Sequence, residues 1–126
     1  MTKTGFSGDE GQAIIEMALV MPLLLLLILG MLEFGWLLNG QITITGSARE
    51  GARTAVTFDS TGSASGPVQE ATERAAAGSV LSGVEADTNY SETEVQVLVT
   101  ASIEPLIGLF VSAPYRLEAV ASMHLE

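Results

Sequence analysis

The sequence predicts an α+β protein: a long N-terminal membrane helix, then a short helix and a small antiparallel sheet. Three observations predict it. Residues 17–32 form an apolar run without a charge. Residues 68–81 carry a helical spacing of small apolar and charged side chains. Residues 94–103 and 115–124 alternate in the two-residue rhythm of half-buried strands.

The first element is justified by length and hydropathy. The uncharged run spans roughly 24 Å as a helix, and its flanks extend it to roughly 39 Å, against a hydrocarbon core of ~30 Å. Thirteen Leu, Ile, Val and Phe residues lie between positions 17 and 38. At mid-helix values they favour insertion by at most roughly 4 to 8 kcal/mol, more than one acid opposes it. Glu16 and Glu33 bracket the run about 26 Å apart, so each falls near one interface. Glu33, beside Phe34 and Trp36, reads either as an acid at headgroup level or as a contact with a neighbouring subunit. Pro22 removes a hydrogen bond to Ala18 and predicts a kink. The leader before the run has one base, Lys3, against Asp9 and Glu10, and no A-x-A site follows the leucines, which disfavours a cleaved secretory signal.

Residues 39–57 are rich in small side chains, with Gly46, Ala48, Gly51, Ala52 and Ala55 leaving room for close packing. The helix is expected to continue outward to about Thr54. Arg49 and Arg53 share a face, either solvated or docked on the acidic head or a partner. Residues 59–67, DSTGSASGP, read as a loop. In the short helix at 68–81, Glu70, Glu73 and Arg74 should face out while Ala71, Ala75, Val80 and Leu81 pack. Residues 82–93 read as a polar, acidic connection. Its carboxylates lack the spacing of a calcium loop and are expected to be solvated.

In the first strand Val95, Val97, Val99, Ala101 and Ile103 share one face, and Pro105 ends it. In the second, Leu117, Ala119, Ala121 and Met123 do the same. The apolar linker between them, PLIGLFVSAP, has three readings: a cap on the core, a contact with lipid, or an assembly surface.

The chain has 126 residues, so the apolar segment leaves roughly 85 for a head with a modest core that leans on partners. A net charge of −10 argues against nucleic acid or anionic lipid as a partner. There is no cysteine for a disulfide or thiolate metal site. No phosphate loop, metal-ligand cluster or nucleophilic pairing is apparent, and His124 reads as a surface or edge residue, so neither enzymatic activity nor a cofactor is expected.

One constellation stands apart. A short polar leader ends at Gly11, and an apolar helix begins at Gln12 with Glu16 as its fifth residue. That is the pattern of type IV prepilins. The stretch GQAIIEMALVMPLLLLLILGMLEFGWLLNGQITITGSAREGARTAV, with its AREGAR block after a Glu-Phe-Gly helix end, resembles the TadE-like family of the tight-adherence (Flp) pilus system. VQVLVTASI, PLIGLF and YRLEAVASMHLE resemble its C-terminal part. Where Flp-type pilins usually carry tyrosine after the glutamate, this chain has Met17.

The resemblance implies a pilin-like plan: a leader at 1–11, a transmembrane and assembly helix at 12–54, and an exported α+β head at 55–126. It implies a minor pilin, or pseudopilin, cut between Gly11 and Gln12 by a membrane prepilin peptidase. Its implied place is the bacterial inner membrane, single pass, with the head outside the cytoplasm or in an extracellular pilus. The implied partners are the major Flp pilin, other minor pilins, the inner-membrane assembly platform and the lipid bilayer. Glu16 would pair with the new amine of a neighbouring subunit and set the stagger of assembly. The other reading of Glu16 is an acid hydrated at the headgroups. The bases near the helix ends, Lys3 against Arg49 and Arg53, favour an inward C-terminus by the positive-inside rule, opposite to the orientation the resemblance implies. Rival readings are an unprocessed single-pass scaffold of the export apparatus and, further off, a proteolipid-like subunit that moves ions through Glu16 or Glu33.

Overall fold

The computed structural model describes residues 8–58 and 64–125. Most of the expected leader, with Lys3, and most of the expected loop at 59–67 lie outside the described residues. The element order is α1 (Gly8–Thr57), α2 (Ser65–Ala76), β1 (Leu81–Tyr90), β2 (Glu94–Ile103) and β3 (Tyr115–His124). The fold is α+β, as expected.

α1 is one helix of 50 residues, about 75 Å long. Asp9 and Glu10 sit in its first turn, where they oppose the positive end of the helix dipole. Pro22 lies inside it. The helix ends three residues past the expected position, through a stretch whose threonines disfavour helix by propensity. Those side chains are satisfied locally. Thr43 Oγ1 donates to Asn39 O (2.9 Å), Thr45 Oγ1 to Gln41 O (2.8 Å), Ser47 Oγ to Thr43 O (3.0 Å) and Thr54 Oγ1 to Glu50 O (3.0 Å). Back-bonding of this kind lets a hydroxyl-rich helix enter a core without orphaned donors.

One stripe of α1 is buried: Glu33, Gly40, Ile44, Ser47, Ala48, Gly51, Ala52 and Ala55, the three-and-four spacing of a helix face. It packs on a three-stranded antiparallel sheet of order β1-β2-β3. Val95, Val97, Val99, Ala101 and Ile103 of the central strand are all buried, as their alternation predicted. Ala119 of β3 is buried among them, with Leu117 and Ala121 partly covered. Glycine sets the approach of helix to sheet. A Cβ at Gly40 would lie 2.7 Å from Ile103 Cδ1, and one at Gly51 would lie 2.7 Å from Thr72 Oγ1 and 3.2 Å from Val97 Cγ1.

Two sequence expectations are corrected. The stretch 82–93 is not a connection: most of it is β1, paired with β2 from Leu81↔Ile103 to Tyr90↔Val95. Its acids do face solvent, but Val84, Ala86, Thr88 and Tyr90 turn inward. A bulge between Ser82 and Glu85 places Gly83 at φ +61°, a conformation that side chains resist. The short helix begins and ends earlier than expected. Pro67 is in its first turn, where the missing N–H costs nothing, and the chain leaves the helix at Ala77. Its buried residues are Val68, Ala71, Thr72 and Ala76, while Ala75 is exposed and Leu81 belongs to β1.

Gln69 joins α2 to β1. Its Nε2 donates to Val84 O (2.8 Å) and its Oε1 accepts from Ala86 N (2.7 Å). One amide thereby covers part of an edge strand that would otherwise present free backbone groups. Gln41 of α1 does the like for the other edge strand, its Nε2 donating to Glu118 O (3.3 Å).

Candidate functional site

α1 is two helices in chemistry. Its outer half is in the core of the head. Its inner half, residues 12–28 of the leucine run, is exposed throughout: Leu19 is 77% exposed and Leu23 67%. The most apolar 18-residue window has a mean hydropathy of 2.6, and none of it is buried. A helix apolar on all sides and unpacked needs an apolar surround. The segment is long and apolar enough to cross a membrane and fits membrane anchoring.

Gly11 and Gln12 both lie inside α1, so the expected cleavage position falls within helix. Gly8 and Gly11 make that first stretch a weak helix, each costing about 1 kcal/mol relative to alanine. Glu16 is exposed and accepts one hydrogen bond, from Gln12 Nε2 at 3.2 Å. Among the described residues no basic group faces it. Glu16 and Gln12 are one turn apart, which brings the residue after the expected cut beside the acid.

Glu33 behaves differently. It is only 3% exposed, although it stands at the end of the exposed apolar half. The loop between β2 and β3, residues 104–114, folds back over it. Glu33 Oε2 accepts a hydrogen bond from Ile107 N (2.8 Å), while Oε1 is buried with no partner among the described residues. One turn further along, Trp36 Nε1 donates to Glu104 O (2.9 Å). One turn the other way, the ring of Phe110 lies 3.7 Å from where a Cβ on Gly30 would be. Gly30, Glu33 and Trp36 thus form a seat on α1 for an apolar strap. The sequence singled out Glu33 and the linker separately; the contact joining them spans 74 positions and has no local signature.

Arg49 and Arg53 are exposed and make no ion pair among the described residues. Arg74 pairs with Glu70 at 2.7 Å, both well exposed, a surface pair of small energetic weight. His124 lies at the end of β3, its Nδ1 3.2 Å from Thr93 O. Among the described residues no group of three His, Asp or Glu side chains could hold a metal ion.

These features define a small α+β head carried on one exposed apolar helix, with a glutamate near each end of the apolar run. Residues 11–53 match the family model described as TadE-like protein. The match begins at Gly11, covers the apolar run and ends at Arg53 in the AREGAR block, so the family resemblance holds over most of α1. It links this segment to the tight-adherence pilus system. No curated protein matches the chain. No solved structure matches it.

Proposed function

We propose that the chain is a minor pilin, or pseudopilin, that takes part in assembly of a tight-adherence pilus. On this reading it is inserted by α1 and trimmed after Gly11, and its head lies outside the cytoplasm. The observation that carries the reading is the family match starting at Gly11, with Glu16 five residues into an unpacked apolar helix. A carboxylate among packed helices away from water is costly unless paired. Cleavage would create an amine at Gln12, about 6 Å along the axis from Glu16. The amine of an adjacent subunit meets Glu16 in one axial register, which makes the pair a gauge of stagger. The partners would be the major Flp pilin, other minor pilins, the peptidase and the assembly platform.

One observation favours a second reading, an uncleaved single-pass scaffold: the Gly11–Gln12 bond lies within a helix that a peptidase would have to unwind. Mass spectrometry of the mature N-terminus decides between them. A chain starting at Gln12, produced only when an active prepilin peptidase is present, supports the pilin. An N-terminus upstream of Gly11 in the same host supports the scaffold.

A further inference from the structure

We infer that the loop at residues 104–114 is a second membrane-contacting element, a strap that lies in the lipid of the leaflet nearest the head. This rests on α1 spanning the bilayer and is independent of cleavage or filament assembly. The argument is one of level. Phe110 packs on Gly30, three residues or about 4.5 Å to the apolar side of Glu33. Gly30 belongs to the uncharged run, so a bilayer that takes up this run brings Phe110 to the same depth.

The chemistry of the strap fits that depth. Residues 105–114 contain no charged side chain. Leu106, Ile107, Leu109, Phe110 and Val111 are all exposed, Phe110 by 64%, although the core lies close by. Polarity is graded along α1: Phe110 at Gly30, the Ile107 N–H at Glu33, then the Trp36 indole bonded to Glu104 O. An indole donor at headgroup level is a common interfacial anchor. Backbone donors that enter lipid need a protein acceptor, and Glu33 Oε2 supplies one to Ile107. The strap continues the apolar surface of α1 at its own level, which points to lipid as its cover. Its depth is that of interfacial segments, about 5–10 Å below the headgroup boundary.

The chain has no cysteine, so single-cysteine variants can carry a spin label without background. Leu25→Cys, Phe110→Cys, Val111→Cys and Val120→Cys would be made in the full chain and reconstituted in phosphatidylcholine–phosphatidylglycerol vesicles. Accessibility to oxygen and to a water-soluble nickel chelate would then be compared. The expected result is a several-fold preference for oxygen at 25, 110 and 111, with 110 and 111 shallower than 25. Val120, on the outer face of the sheet and 62% exposed, should prefer the chelate. Chelate access at 110 and 111 equal to that at 120, with 25 still deep, overturns the strap and keeps the span. Chelate access at 25 overturns both. Shielding of 110 and 111 from both reagents assigns the strap to a protein partner and overturns the lipid assignment.

Discussion

At the scale of single residues, the chain uses two glutamates on one helix in opposite ways. Glu16 faces out and accepts a hydrogen bond from Gln12 one turn before it. Its replacement by alanine should leave melting of the head unchanged, while the proposed role in assembly would be lost; normal piliation with E16A would remove that role. Glu33 is buried and latches the strap. One of its oxygens is satisfied by Ile107 N, but the other is a buried acceptor without a partner among the described residues, a cost of about 1–3 kcal/mol. A group kept at such a cost is expected to hold something. Glu33→Gln retains an acceptor for Ile107 N, whereas Glu33→Ala removes it and leaves that donor without its acceptor. Limited thermolysin digestion reads the difference: E33A should be cut within 105–111 several-fold faster than the parent, and E33Q at close to the parent rate. Equal resistance of E33A and the parent would show that the strap stays in place without the latch.

At the scale of elements, two glycines in α1 predict opposite outcomes for one substitution. Gly46 is exposed, with nothing within 4 Å of an added Cβ, so Gly46→Ala should stabilise the helix by about 1 kcal/mol. Gly51→Ala gains the same propensity but drives its methyl against Thr72 Oγ1, which is itself fixed by a 2.7 Å hydrogen bond to Val68 O. Overpacking of this kind costs about 1–3 kcal/mol and should leave G51A the less stable of the two, checked by thermal unfolding in one detergent. Elements were legible where side chains repeat strongly. β2 and β3 have the residue bounds their alternation implied, because apolar side chains recur on one face at every second position: Val95, Val97, Val99, Ala101 and Ile103 in β2, and Leu117, Ala119, Ala121 and Met123 in β3. β1 carries no comparable signal because its inner face is Val84, Ala86, Thr88 and Tyr90, weak apolar markers between Glu85, Asp87 and Asn89. The bulge at Gly83 also breaks the rhythm at its start. Only pairing with β2, and the Gln69 amide on its open edge, makes a strand of it.

At the scale of the whole molecule, the outer half of α1 is a layer of the core it shares with α2 and the sheet. A division at residue 55 follows from ending the small-residue helix at about Thr54, ahead of the turn-rich stretch at 59–67. Composition cannot show which face of a small-residue helix is covered. The covered face here includes Ile44, Ala48, Ala52 and Gly51, which lie against Val68, Val97 and the rest of the core. A chain beginning at residue 55 loses this whole layer and bares the inner side of β2. Burial of one Ile or Val contributes about 1.5–3 kcal/mol, and a head of about 70 residues has only a few kcal/mol to lose. Such a chain should therefore show no cooperative melting. A chain beginning at residue 30 keeps the helix layer, Gln41 on the edge of β3, and the seat at Glu33 and Trp36 for the strap. It should melt cooperatively, with strand and helix signals lost together by circular dichroism, and should need mild detergent because Phe34, Leu38 and the strap remain exposed. Cooperative unfolding of the chain from 55 would mean that α2 and the sheet hold without α1, and that the burial of its outer half is attachment and not core.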